Sequence, residues 1–261
     1  MTRRAFVPLA ASAAAAGLGG ADAPKNAILE LRYIRLRNSA ENQRQRSADF
    51  LQRSAVPALQ RAGAGPIGVF ASAVAPETPF LMMLVSYPSL AAMEQIQDKV
   101  SADREYQKAL ESFNAQPGLS YERMESMLLR AFDAMPQVAV PPVEGPRARR
   151  LFEVRMYESN NSSTLARKIK MFESGEIAIF KRLGMQPVFF GRMIVGPKMP
   201  NLVYMLAFDD MAAREKAWRA FGGDPEWKKL RETPGCSDAE IVSNISNFFI
   251  TPLLFCQSCS G

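Results

Sequence analysis

From residue 151 the chain alternates: Phe152, Val154 and Met156 are apolar, and Glu153, Arg155 and Tyr157 between them are polar. A period of two is that of a strand with two unlike faces. Leu165, Ile169, Phe172, Ile177 and Phe180 then recur at spacings close to one helical face, so 162–183 is predicted helical, with Gly184 as its stop. QPVFFGRMIVG and NLVYMLAF follow as strands joined by a Pro-Lys-Met-Pro turn. A helix is expected from Asp210 to Phe221, broken at Gly222-Gly223, and Asp224 can cap a short second helix with Pro225 in its first turn. EIVSNISNFFI (240–250) reads as the closing strand. The order βαββαβ predicts an antiparallel sheet with both helices on one face, the ferredoxin-like arrangement.

The same pattern occurs earlier in the chain. ILELRYIRLRNS (28–39) answers LFEVRMYESNNS (151–162) at an offset of 123, and from Arg61 to Lys108 the match runs at an offset of 121. Arg61 and Arg182, Gly63 and Gly184, Pro66 and Pro187, Pro79 and Pro200, and Asp103 and Asp224 coincide. Several of these fix turns, which points to a duplication, with a two-residue difference expected inside the first helix. Residues 27–131 and 150–252 are therefore two repeats, with 132–149, rich in Pro, as a linker and 253–261 as a tail.

FLMMLVSY (80–87) and NLVYMLAF (201–208) are almost continuously apolar, as strands covered on both faces are. Helices cover one face; the other repeat must cover the second. The expected fold is α+β: tandem ferredoxin-like repeats packed sheet to sheet as an intramolecular α+β barrel. LFEVRMY, the run VGPKMPNLVYMLAFDDMAAREKAW and the closing DPEW resemble the NIPSNAP family, whose fold is the dimeric α+β barrel. The resemblance covers 151–250 well and 28–130 more loosely, where Gln97 and Tyr106 stand in place of the two tryptophans. It implies a fold and binding or interaction roles, and it brings no catalytic residues.

Composition narrows the chemistry. The chain has no histidine, which excludes Ser-His-Asp catalysis, His-ligated zinc and a proximal-His haem, and no cofactor or metal is expected. The net charge of +6 is spread without a long basic run, so nucleic acid is not an expected partner. Cys236, Cys256 and Cys259 lie near the C-terminus; an oxidising compartment permits one disulfide, and the C-x-x-C reads as part of a tail rather than as a redox pair. MTRRAFVPLAASAAAAGLGGADA (1–23) resembles a twin-arginine export signal, too feebly apolar to span a bilayer, so a periplasmic or secreted protein without stable membrane insertion is expected.

Candidate site residues come from the first strand of each repeat. Glu30 with Arg32, and Glu153 with Arg155, share the face opposite the apolar one, which is expected to meet the helices, so the charges are expected to point between the two sheets. They read either as a structural ion network across the pseudo-twofold or as a pocket for an anion or carbonyl, with Tyr157, Arg192 and Tyr204 nearby. Trp218 and Trp227 read as packing anchors. The function these readings favour is non-enzymatic: binding of a small apolar or acidic ligand, a protein partner or a second copy. The alternative is a cofactor-free monooxygenase or isomerase acting on a small apolar molecule, an analogy at the level of fold. Export has a direct test: replacing Arg3 and Arg4 by Lys should retain the protein in the cytoplasm, and unchanged recovery outside it contradicts the signal.

Overall fold

The computed structural model describes residues 26–38, 40–141 and 150–256. The first repeat runs β1 (Ile28–Arg35), α1 (Gln43–Phe50), a π-helical turn (Leu51–Ala55), α2 (Val56–Ala62), β2 (Ile67–Val74), β3 (Phe80–Tyr87), α3 (Leu90–Ala102), α4 (Arg104–Asn114) and β4 (Arg123–Ala131). The second runs β5 (Leu151–Glu158), α5 (Ser162–Met171), a π-helical turn (Phe172–Glu176), α6 (Ile177–Arg182), β6 (Gln186–Val195), β7 (Asn201–Phe208), α7 (Met211–Gly223), α8 (Pro225–Arg231), α9 (Asp238–Ile241) and β8 (Asn244–Cys256). The two π-turns already stand 121 residues apart, so the two-residue difference lies in the connection between β1 and α1, not inside the helix.

All strand pairs are antiparallel, and the eight strands close in the order β1-β3-β2-β8-β5-β7-β6-β4. The two sheets not only face each other but are hydrogen-bonded edge to edge, through β2 with β8 and β4 with β6. Closure removes every free strand edge. Gly191 of β6 makes one junction possible: a Cβ there would stand 2.9 Å from the Leu129 Cβ on β4. β8 begins later and ends later than the sequence pattern suggested. Ser237 and Glu240 form a capping box that turns 238–241 into α9, and the strand continues to Cys256, paired with Ile67. Cys256 thus belongs to the barrel backbone, not to a tail; Cys259 and the export segment 1–23 lie outside the described residues.

Leu29, Leu31 and Tyr33 of β1 and Phe152 and Val154 of β5 point into the barrel, where they meet Phe70, Met82, Leu129, Phe189 and Met205 in one apolar core. The linker contributes Val138 to the same core. This reverses an expectation. The apolar face of the first strands meets the other sheet, and the Glu-x-Arg face lies outward beneath the helices. The interior of an eight-stranded barrel is just filled by side chains. Four charges there would find neither space nor hydrogen-bond donors, whereas the helices supply both.

The helices form two outer layers, one over each half of the barrel. Several duplicated residues secure them. Gly63 and Gly184 end α2 and α6 at φ +106° and +78°, a conformation that costs glycine least. Asp103 and Asp224 cap α4 and α8, and each pairs with an arginine two helices earlier, Arg61 of α2 at 2.7 Å and Arg182 of α6 at 2.9 Å. Among the described residues no helix is long and apolar enough to cross a membrane.

Candidate functional site: one filled and one hollow helix layer

In the second repeat, large buried side chains occupy the space between sheet and helices around Glu153 and Lys168. Glu153 is wholly buried and accepts hydrogen bonds from Arg155 (2.7 Å), Arg214 (2.8 and 3.0 Å), the Trp218 indole (2.8 Å) and Asn247 (2.9 Å). Burial alone would raise its pKa, but the hydrogen bonds from Arg214 and the charge of Arg155 outweigh that and hold it below the ordinary carboxylate range. Arg155 continues to the Tyr157 hydroxyl, which also receives that of Tyr204 at 3.1 Å. Its guanidinium lies over the Trp218 ring, 4.5 Å from the centroid.

Beside this network lies a second one. Lys168 of α5 has no exposed surface; its ammonium sits 3.3 Å from both Glu176 and Asp238 and about 5 Å from the rings of Phe172 (4.9 Å) and Trp227 (5.4 Å). Burial opposes the charge on Lys168, but the facing carboxylates raise its pKa. Glu176 goes the other way: burial pushes it up to about 7 against the pull of Lys168.

The first repeat repeats the backbone and not the filling. Glu30 is buried and held by Arg32 (2.9 and 3.1 Å), Tyr87 (2.9 Å) and Ser126 (2.6 Å). At the 121-residue offset, however, Lys168 becomes Ser47, Phe172 becomes Leu51, Glu176 becomes Ala55, Tyr204 becomes Met83 and Trp227 becomes Tyr106. Every one of these replacements removes volume. All five smaller residues line a cavity of about 100 Å³ between sheet and helices, closed elsewhere by Arg32, Ile34 and the stacked rings of Phe50 and Phe113. Among the described residues the Tyr106 and Tyr121 hydroxyls and the Nη1 of Arg32 make no hydrogen bond, and all three side chains face this space.

The expected pocket across the pseudo-twofold is therefore not formed. Glu153, Arg155, Tyr157 and Tyr204 do come together, but under the second helix layer; Glu30 and Arg32 lie under the first. Arg192 joins neither. It is exposed on β6 in a separate groove beside Arg130, Asp133 and Glu173.

With this geometry in hand, a family model described as NIPSNAP matches residues 32–136 and again 152–257. The chain belongs to the NIPSNAP family. Among solved structures it is similar to a monooxygenase candidate from Lactobacillus acidophilus NCFM, at 10% identity over 89% of this chain and 96% of that one, TM-score 0.56. A second monooxygenase candidate, from Fusobacterium nucleatum, aligns at 8% identity over 90% and 96% of the two chains, TM-score 0.57. An uncharacterised NIPSNAP-like domain protein from Burkholderia xenovorans aligns at 16% identity over 42% of this chain and 90% of its own, TM-score 0.37. At such identities the likeness is one of fold. A search of curated proteins gave no match.

Within this NIPSNAP fold, the residues missed from sequence are Lys168, Glu176, Arg214 and Asn247. Lys168 carried a signal: it falls three residues after Leu165 and four before Phe172, a charge inside the apolar stripe of a helix. The buried pair has a measurable consequence. A carboxyl whose folded pKa is raised contributes stability that is complete below its unfolded value, near 4.5, and lost as pH rises through about 7. Chemical denaturation at pH 5 and at pH 7.5 should therefore show a loss of stability on raising the pH that is clearly smaller in Glu176→Gln. An equal loss in both proteins contradicts the assignment.

Proposed function

We propose that this NIPSNAP chain is an exported binding protein without catalytic chemistry of its own, in which the first repeat takes up one small, flat, apolar molecule carrying a carboxylate. The observation that carries this reading is the difference between the copies. The second repeat fills its helix layer with Lys168, Phe172, Glu176 and Trp227; the first leaves it hollow and lines it with the Tyr106 and Tyr121 hydroxyls and the Nη1 of Arg32, which among the described residues make no hydrogen bond. A cavity of about 150 Å³ takes benzene. The 100 Å³ here is smaller, so a ring enters it only in part and the remainder of the ligand stands at the open rim.

The polar groups on the wall favour binding over reaction. Arg32, Tyr106 and Tyr121 can donate to an oxygen, but none is prepared to take a proton. Burial raises the pKa of Tyr106, against the influence of Arg32, so its hydroxyl stays protonated. The nearest carboxylate, Glu30, already accepts from Arg32, Tyr87 and Ser126. A cofactor-free monooxygenase or isomerase would need a base here, and the monooxygenase candidates that share the fold lend no residue to that role. Export rests on the twin-arginine pattern Arg3-Arg4.

Isothermal titration with benzoate should give one site per chain. Leu51→Phe, which installs the second repeat's residue, should abolish binding, and Tyr106→Phe should weaken it about fivefold, as loss of one hydrogen bond does. Unchanged affinity in Leu51→Phe overturns the reading.

A further inference from the structure

A second cavity lies at one mouth of the barrel, where β1, β5 and β7 end or begin and the Pro-containing turns after β2 and β6 fold over. It encloses about 180 Å³ between the two sheets. Its base is apolar: Met127, Val154, Met156 and Val203 line it together with an aromatic trio. Tyr33, Phe80 and Phe248 meet edge to face at centroid distances of 5.4, 5.9 and 6.2 Å, which leaves ring surface turned to the cavity.

Two features separate this space from a packing defect. Tyr33 is only 5% exposed, yet among the described residues its hydroxyl has no hydrogen-bond partner. The oxygen is not sealed in either: it keeps some accessible surface, and Tyr33 forms part of the cavity wall. A buried phenol normally finds a partner. Arg35, above the trio, already has partners. Its guanidinium binds Glu125 at 2.9 Å and lies 5.1 Å from the Tyr33 ring centroid and 5.0 Å from that of Phe80. Lys198 on the opposite rim is paired with Glu158 at 3.4 Å. The rim cations are thus neutralised in place, and an anion entering here would have to displace a carboxylate.

We propose that the barrel mouth is a second binding site, specific for a neutral monocyclic aromatic molecule with one hydrogen-bond acceptor, such as an aryl ketone or aldehyde. The ring lies against Phe80, Phe248 and Met156, and the Tyr33 hydroxyl donates to the carbonyl oxygen. A volume somewhat above the roughly 150 Å³ that takes benzene fits one ring with a short substituent. This site is separate from the hollow helix layer of the first repeat: different strands' inner faces build it, and its free donors among the described residues are the neutral hydroxyls of Tyr33 and Ser246.

The test uses acetophenone and ethylbenzene, of similar shape and differing in the carbonyl, with binding followed by ligand-detected NMR and by titration. Acetophenone should bind the wild type more tightly than ethylbenzene does. Tyr33→Phe should weaken acetophenone about fivefold and leave ethylbenzene unchanged, because only the hydrogen bond is lost. Val154→Phe, which fills the mouth, should abolish both, and Leu51→Phe, in the helix layer, should affect neither. If Val154→Phe does not fold, the Tyr33→Phe comparison still decides. Equal acetophenone affinity in wild type and Tyr33→Phe overturns the proposal, as does loss of binding in Leu51→Phe, which would place the ligand in the first-repeat cavity.

Discussion

Everything distinctive about this chain follows from the closure of one barrel by two copies of the same unit. A four-stranded sheet with both faces apolar cannot exist alone in water; helices cover one face and only another sheet can cover the second. Because β2 bonds to β8 and β4 to β6, the inner faces meet in one apolar core built from Leu29, Phe70, Phe152, Phe189 and Met205. That core has no place for charge. Glu30, Arg32, Glu153 and Arg155 are displaced to the outer face, and there the helices decide what becomes of them.

The two copies resolved that problem differently. Over the second half, α5, α7 and α8 deliver Lys168, Arg214, Trp218 and Trp227, so that Glu153 receives donors from four side chains and a lysine is fully enclosed with Glu176. Such a layer is dense and specific, though buried ion pairs are poor sources of net stability. Over the first half the same helices carry Ser47, Leu51, Ala55 and Tyr106. One carboxylate is still satisfied, by Arg32, Tyr87 and Ser126, but the remaining volume is open and its donors face it. A duplicated fold can hold one copy rigid as scaffold while the other becomes a receptacle.

Much of this was legible in the sequence. Alternation at 151–158, the Gly stops at 63 and 184, the Asp caps at 103 and 224 and the repeat offset together gave the elements and the barrel. The apolar stretches 80–87 and 201–208 announced strands covered on both faces, and both are buried throughout. What could not be read was which side of the first strand faces which layer. Period-two alternation says that the faces differ, not which neighbour each meets. An apolar face suits a helix layer and a barrel interior equally; only closure, a property of both repeats together, decides. The hollow was similarly hidden, since it appears only when Ser47, Leu51 and Ala55 are compared with Lys168, Phe172 and Glu176 across the correct offset. That offset places the two extra residues before the helix, not within it.

Within a single chain, one helix layer is packed with large side chains and the other is hollow. Crystals grown with 4-bromobenzoate test this most directly, because anomalous scattering locates bromine without reference to the surrounding side chains. One bromine position is expected under the helices of the first repeat, between Arg32 and Phe50, and none at the equivalent place beside Arg155 and Phe172. Bromine under both layers, or under the second alone, would contradict it.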